Sequence, residues 1–422
     1  MMQTKSGCAA LLALSFMCAA SAVHAEDFAI HDGDTVVFLG DSITAARVYG
    51  KLIENYTLLR FPERKVHFIN AGRGGETAAG GFKRFAQDVL SHKPTLVTVA
   101  YGVNDIGWGT RADEEHKRGY LEGIRGIVEA CKMQGVRVYI CSAAATAEDP
   151  AKSENGFLQK MCDEGMALSK SLGGEAIDVQ RSMRAIQRKM KAANEKADPK
   201  QEKATLHVAD GVHLNDVGQL AMALAILKGL GAPADVSSVS IDARDLKLLA
   251  AEGCTVSGLA KEGDAIEFVR LDRGLPLNNG IFFQLQFRFV PIHDELNRYM
   301  LTVANLPADR YEVVADGRSA GNFSSEELAK GVNISSSTAD PWEPGGPWNA
   351  QANVLQALTE SRNQLATACS SADFYLKAAS ASPLKKEAEQ TNRQLEEMQR
   401  IVAKPRPYHF VVKRFVPPAK KS

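Results

Sequence analysis

The sequence predicts an α/β fold built on a parallel sheet, followed by a small β-rich unit and a C-terminal helical segment. Three observations carry this expectation. Short apolar runs alternate with amphipathic stretches through the first half of the chain. The texture shifts to β-branched and aromatic residues after the Gly-Ala-Pro-Ala-Asp punctuation at 231–235. Two long stretches of helical character then return beyond residue 345.

Residues 1–25 read as an export signal. Lys5 supplies the positive start, residues 9–20 an apolar run, and Val23-His24-Ala25 a small-residue cleavage site. The run is shorter than the ~20 residues that cross a bilayer. A lipoprotein would need a small residue before Cys18, where Met17 stands. The expected outcome is an exported, periplasmic or secreted chain cleaved near Ala25.

Past the signal, 35–40 (TVVFLG) is an apolar run ending in glycine, as a buried parallel strand reads. Residues 65–70, 95–102, 137–142 and 175–179 repeat the pattern, and amphipathic helices are expected at 43–59, 80–91 and 113–134. Strands spaced by helices make βαβ units, so the sheet should be covered on both faces. The charged stretch 181–203 has little apolar face and reads as a solvated surface helix, while 216–230 closes the layer before Gly231.

After residue 232, runs at 236–241, 265–271, 281–290, 299–303 and 311–314 are expected to form a small antiparallel β unit. The proline-rich segment 340–348 reads as a loop. Residues 349–379 and 384–403 suggest a helical hairpin split at Ser382-Pro383, and 404–422 an extended tail. The expected divisions are an α/β unit at 26–232, a β-rich accessory unit at 233–345 and a helical extension at 346–422.

Composition narrows the function classes. At 422 residues the chain exceeds what one compact core usually holds. Lys plus Arg and Asp plus Glu both number 50, so no field of one sign attracts nucleic acid or an anionic membrane. Nor does any segment after the signal have the length and apolarity of a membrane span. Cys8 and Cys18 lie in the signal; Cys131, Cys141, Cys162, Cys254 and Cys369 are dispersed without a CxxC pair, which does not suggest zinc. They read as small buried hydrophobes, with their disulfide status and the oligomeric state open.

Gly40-Asp41-Ser42 falls where the first strand meets the first helix. A serine there projects its hydroxyl at the carboxyl edge of the sheet, where open α/β folds place ligands. The first-turn amides point to the same spot. Asp210-Gly-Val-His213 directly precedes the last helix of the α/β unit. A carboxylate three residues before a histidine can fix its tautomer and leave the other nitrogen to take a serine proton. Two further loops follow predicted strands, Asn70-Ala-Gly-Arg-Gly-Gly75-Glu-Thr77 and Gly102-Val-Asn104-Asp105, and they offer backbone N–H and asparagine donors for an oxyanion. There is no GxGxxG opening a helix, no P-loop lysine and no GxSxG elbow.

Together GDSIT (40–44), NAGRGGET (70–77), GVND (102–105) and DGVH (210–213) resemble SGNH (GDSL-like) hydrolases over about residues 32–232. That resemblance implies an α/β/α flavodoxin-like sandwich and ester hydrolysis through an acyl-enzyme without metal or cofactor. It also implies roles: Ser42 as nucleophile and oxyanion donor, Gly75 and Asn104 as the other donors, His213 as general base and Asp210 as its orienter. Gly74 replaces Gly75 if the second block shifts by one. Glu76 and Leu214 depart from the family, which usually has a shorter acid and a proline there. The part after 232 loosely resembles extensions of exported bacterial SGNH proteins.

Arg73, Tyr101, Ile106 and Trp108 flank the expected hole; Trp108 is a candidate for stacking on a sugar and Arg73 for pairing with a carboxylate. A chain lacking any long apolar loop fits a short acyl ester on carbohydrate, a small-molecule or glycan partner. The competing readings are a lipid-directed acylhydrolase (lysophospholipase or thioesterase) and a non-catalytic glycan-binding protein.

Overall fold

The computed structural model describes residues 28–417 apart from 279, 281–282, 340–341, 343–344 and 377. The export signal expected at 1–25 lies outside the described residues.

Five parallel strands form the central sheet: β1 (Thr35–Gly40), β2 (His67–Gly72), β3 (Leu96–Ala100), β4 (Arg137–Cys141) and β5 (Glu175–Ile177), in the order β2-β1-β3-β4-β5. All neighbouring pairs are parallel and in register, Gly40 lying opposite Gly72 on one side and Ala100 on the other. Both faces are covered, as the continuous apolar runs require. Along β1, Val36 and Phe38 point into one core while Val37 and Leu39 point into the other, the period of two that a pleated strand imposes.

The helices in chain order are α1 (Ser42–Ala45), α2 (Val48–Arg60), α3 (Ala78–Asp88), α4 (Glu114–Met133), α5 (Pro150–Ser153), α6 (Phe157–Ser171), α7 (Val179–Lys196) and α8 (Asp216–Gly229). The single helix expected over 43–59 is two, because Arg47 adopts φ +66° between α1 and α2. The stretch expected as a solvated helix at 181–203 also differs. Its helix begins at Val179 and buries Met183, Ile186 and Met190, an i, i+3, i+7 stripe hidden among charges. Helix α6 was not anticipated; it buries Met161, Cys162 and Gly165.

Beyond Ala232 the expected small antiparallel unit is two sheets. The strands are β6 (Asp235–Asp242), β7 (Lys247–Glu252), β8 (Cys254–Glu262), β9 (Ala265–Asp272), β10 (Arg298–Ala304), β11 (Arg310–Ala315), β12 (Arg318–Ser324), β13 (Val332–Asn333) and β14 (Tyr408–Arg414), with short helices α9 (Ile292–Glu295) and α10 (Ser325–Lys330). One sheet runs β13-β10-β6-β7 and includes the parallel pair β6–β10; the other runs β12-β11-β14-β9-β8. The expected strand at 281–290 is instead a 3-10 helix over Phe283–Arg288, an outcome that short apolar runs leave open. The tail expected to be merely extended supplies β14, an interior strand whose Phe410 faces Phe268 in register.

Helices α11 (Pro347–Tyr375) and α12 (Ala378–Ala403) form the hairpin, but Pro383 lies inside α12 rather than at the break. The hairpin is fastened to α2 by a buried polar layer. Arg362 donates to Glu54 (2.8 Å) and Glu396 (2.6 Å), Gln399 donates to Glu54 (2.7 Å), and Thr359 Oγ1 donates to Asn55 Oδ1 (2.6 Å). Arg60 at the end of α2 donates to the carbonyls of Asp235 and Leu296, both at 2.6 Å. One continuous core therefore runs from Phe28 and Phe38 through Tyr299, Trp348 and Phe410. The five described cysteines are unpaired; four are buried and Cys369 is half-buried.

Candidate active site

The carboxyl ends of β1, β2 and β3 converge on one rim, and close packing there dictates the residue types. A side chain at Gly40 would place a Cβ 2.2 Å from Thr44 Oγ1 and 2.7 Å from Ala100 O, so only glycine lets the turn after β1 fold back over β3. Asp41 then caps α1, its Oδ1 accepting from Ile43 N at 3.0 Å. Ser42 is the first residue of that helix, so its N–H belongs to the amides a helix start leaves without an internal partner.

Loop 73–77 is held against this turn. Arg73 N donates to Gly40 O (2.9 Å). Asn70 Nδ2 donates to Thr44 O (2.7 Å), while Asn70 Oδ1 accepts from Gly72 N (3.0 Å). Gly75 adopts φ +71°, and a Cβ built on it would meet nothing within 4 Å, so this turn presents an open face. Glu76 points inward: buried, it is paired with Arg84, whose Nε donates at 2.7 Å, and it accepts from Tyr101 Oη at 2.7 Å. Arg84 also donates to Ala71 O (2.6 Å). The longer acid at 76 is what spans this distance to α3.

Asn104 joins the same rim. Its Nδ2 donates to Glu76 O (3.1 Å) and its Oδ1 accepts from Trp108 Nε1 (2.9 Å), which fixes the amide orientation and leaves one N–H uncommitted by these two bonds. Trp108, at φ +57° and half exposed, stands edge-on to the His213 ring at 5.5 Å. Next to it Asp105 is buried, and its Oδ1 accepts from Ala78 N at 2.9 Å. Burial raises the Asp105 carboxyl to about 7 and that of Asp41 to about 6.

The fourth block comes from the loop before α8. His207 and Leu214 form an isolated antiparallel bridge that closes the loop, and Leu214 is buried where the family usually places proline. Gly211 O accepts from Ala147 N (2.8 Å), and His207 Nε2 meets Ala145 O at 2.7 Å, so the loop leans on the segment after β4. Asp210 Oδ1 accepts from the N–H groups of Val212 (2.9 Å) and His213 (2.8 Å), and its Oδ2 lies 2.6 Å from His213 Nδ1. The bond to His213, then the two backbone donors, hold the Asp210 carboxyl down at about 2. An ionised carboxylate can only accept, so Nδ1 carries the proton and Nε2 is the acceptor. Ser42 Oγ is 2.8 Å from that Nε2. A serine, histidine and aspartate in one such chain can pass the hydroxyl proton to the imidazole as the oxygen attacks an electrophile.

The sequence-selected residues Ser42, Gly75, Asn104, Trp108, Asp210 and His213 all lie on this rim. Arg73 is placed differently. Its guanidinium is largely exposed and turns toward Asp88 on α3 at 3.3 Å. Tyr101 and Ile106 are buried rather than lining the rim. Asn70, Arg84, His207 and the inward role of Glu76 were missed; their partners are distant in sequence, and the one usable signal was the acid itself at 76. Among the described residues no group of three or more His, Cys, Asp or Glu side chains is placed to hold a metal ion.

Residues 38–221 match the model of the GDSL-like Lipase/Acylhydrolase family. An acetylxylan esterase of Geobacillus stearothermophilus is 33% identical over 92 residues, covering 18% of this chain and 42% of that one. An uncharacterized lipoprotein of Bacillus subtilis, YqeF, is 28% identical over 126 residues, covering 28% of this chain and 52% of the other. The chain thus spans about half the length of the curated relatives it matches. Among solved structures, a gut microbial diltiazem-metabolizing enzyme superposes with a TM-score of 0.78 at 22% identity, over 92% of this chain and all of that one. That likeness extends the shared fold through the sheets and helices after residue 232.

Proposed function

Because residues 38–221 match the GDSL-like lipase/acylhydrolase family, we propose that the protein is a serine esterase working through an acyl-enzyme. The observation that carries this reading is the unbroken chain Ser42 Oγ–His213 Nε2 (2.8 Å) and His213 Nδ1–Asp210 Oδ2 (2.6 Å) at the carboxyl edge of a parallel sheet. His213 takes the Ser42 proton as Oγ attacks the ester carbonyl, and the tetrahedral oxyanion accepts from the N–H groups of Ser42 and Gly75 and from Asn104 Nδ2. His213 returns the proton to the leaving alcohol; water then attacks the acyl-serine by the same route and frees the acid. Asp210, ionised well below neutral pH, keeps the imidazole in the working tautomer.

The substrate class we infer is a short acyl ester, acetyl foremost, carried on carbohydrate. The identity shared with an acetylxylan esterase supports this, as does half-exposed Trp108, which offers an aromatic edge beside His213. Export by the signal at 1–25 is part of the same proposal, since polymeric glycans are met outside the cell.

The test is hydrolysis of p-nitrophenyl esters by the mature chain and its Ser42→Ala variant. We expect the variant to lose about a thousandfold or more in kcat, and the wild type to prefer acetate over octanoate. A preference for about eight carbons or more would support the lipid-directed reading, and equal rates in both proteins would refute the serine mechanism.

A further inference from the structure

A groove of about 320 Å³ lies between the catalytic layer and the extension, at the small end of the ~300–1,000 Å³ range usual for small-molecule sites. One wall is Val48, Lys51, Leu52 and Asn55 on α2, with Asp216 at the start of α8. The other wall belongs to the extension: Gln286 from the 3-10 helix Phe283–Arg288, and Gln356 and Glu360 one turn apart on α11. Val48 is the first residue of α2 and Asp216 the first of α8, so this end of the groove lies on the rim that carries Ser42 and His213. Asp216 follows His213 by three residues and lies within ~10 Å of it along the chain.

The chemistry of the lining selects its occupant. Only Val48 and Leu52 are apolar, so an acyl chain would find no slot here. Gln286 and Gln356 are half-buried, and their side-chain amides make no hydrogen bond to any other described residue. Each amide offers two donors and an acceptor. Lys51 and Glu360 pair across the groove, and Asn55 is held by Thr359, which donates to its Oδ1. Alternating donors and acceptors in a narrow polar groove complement the hydroxyls of a polyol, each of which both donates and accepts.

We propose that this groove is the subsite for the sugar residues of the leaving alcohol, with Gln286 and Gln356 binding their hydroxyls, so that the C-terminal extension sets substrate choice. This rests on the esterase reading above and adds to it the part of the molecule that recognises the carrier. It also accounts for why α11 is fastened so firmly to α2: the two walls must keep a fixed spacing to act as one binding surface.

The test compares the full mature chain with Gln286→Ala, Gln356→Ala and the double variant, on p-nitrophenyl acetate and on a partially acetylated xylo-oligosaccharide. Both glutamines are half-buried, and thermal melts check that each variant folds. We expect the ratio of kcat/KM on the oligosaccharide to kcat/KM on p-nitrophenyl acetate to fall about tenfold in the double variant, carried mainly by a rise in KM. A ratio unchanged from wild type would overturn the assignment, as would a wild type that cleaves p-nitrophenyl acetate but ignores the oligosaccharide. A wild type inert toward p-nitrophenyl acetate would instead remove the esterase reading on which the proposal stands.

Discussion

Two loops meet at Ser42, and they are held in opposite ways. The loop with Gly75 and Glu76 is fixed from within the protein by a buried carboxylate–guanidinium pair with Arg84 on α3, by the Tyr101 hydroxyl, and by Asn70, which ties the end of β2 to Thr44. The loop with Asp210 and His213 is solvent-facing, each side chain about a third exposed, and the bonds that orient His213 on Asp210 span three residues or fewer. Their electrostatics are opposed as well. Burial raises Asp41 and Asp105 on the first side, whereas hydrogen bonds lower Asp210 on the second. Under the proposed mechanism the donors that meet an oxyanion must not move, which asks for a rigid buried frame. In the same proposal the His213 base needs an ionised carboxylate beside it, which asks for a local, exposed turn.

Asp210→Asn attacks the exposed side and should cost most in rate, about 10³–10⁴-fold in kcat, because the imidazole loses its preferred tautomer. Its melting temperature should change little, since the loop is closed independently by the His207–Leu214 bridge and the Ala147–Gly211 bond. A large fall in stability would erase the distinction between the two loops. Arg84→Met attacks the buried side. Orphaning Glu76 should remove about 3–5 kcal/mol of unfolding free energy in denaturant titrations, with kcat falling about tenfold as the Asn104–Glu76 contact loosens. Adding Glu76→Gln should return much of the stability by eliminating the unpaired charge; no recovery would show that the pair acts otherwise.

A third variant tests the electrostatic contrast through pH. Burial lifts Asp105 from its ordinary 3.8 to about 7. Between those values the folded chain holds a proton that the unfolded chain has released, so this group's contribution to stability falls as pH rises through the window. Asp105→Asn keeps an acceptor for Ala78 N and removes that slope. Its melting temperature relative to wild type should therefore climb by a few degrees from pH 4 to pH 8. Asp210 runs the other way, its stabilisation being lost only as pH drops from about 4 through about 2. The smallest effect is expected from Trp108→Phe. Losing the Nε1 bond to Asn104 should lower kcat a few-fold on p-nitrophenyl acetate.

The same contrast decides what could be read in the sequence. Gly40-Asp41-Ser42 and Asp210-Gly-Val-His213 were legible because their logic is local: a strand end, a cap, and a carboxylate three residues from a histidine. The parallel sheet was legible because doubly covered strands are continuous apolar runs. Arg84 was not, since nothing in residues 80–91 marks one arginine as the partner of an acid eight positions earlier. Met183, Ile186 and Met190 were masked by the charges around them. The tail that becomes β14 lacked the context of β9 and β11, which lie about a hundred residues or more before it in sequence and supply its hydrogen bonds. The extension's grip on α2 through Arg362 and Glu54 is equally non-local.

The central claim is that Ser42 is the nucleophile, and covalent capture tests it most directly. The mature chain is treated with a fluorophosphonate ester, digested and mapped by mass spectrometry while residual p-nitrophenyl acetate hydrolysis is followed. We predict one adduct per chain, on Ser42, with activity lost in proportion to labelling. Full labelling at another residue, or activity that survives a labelled Ser42, would contradict the account.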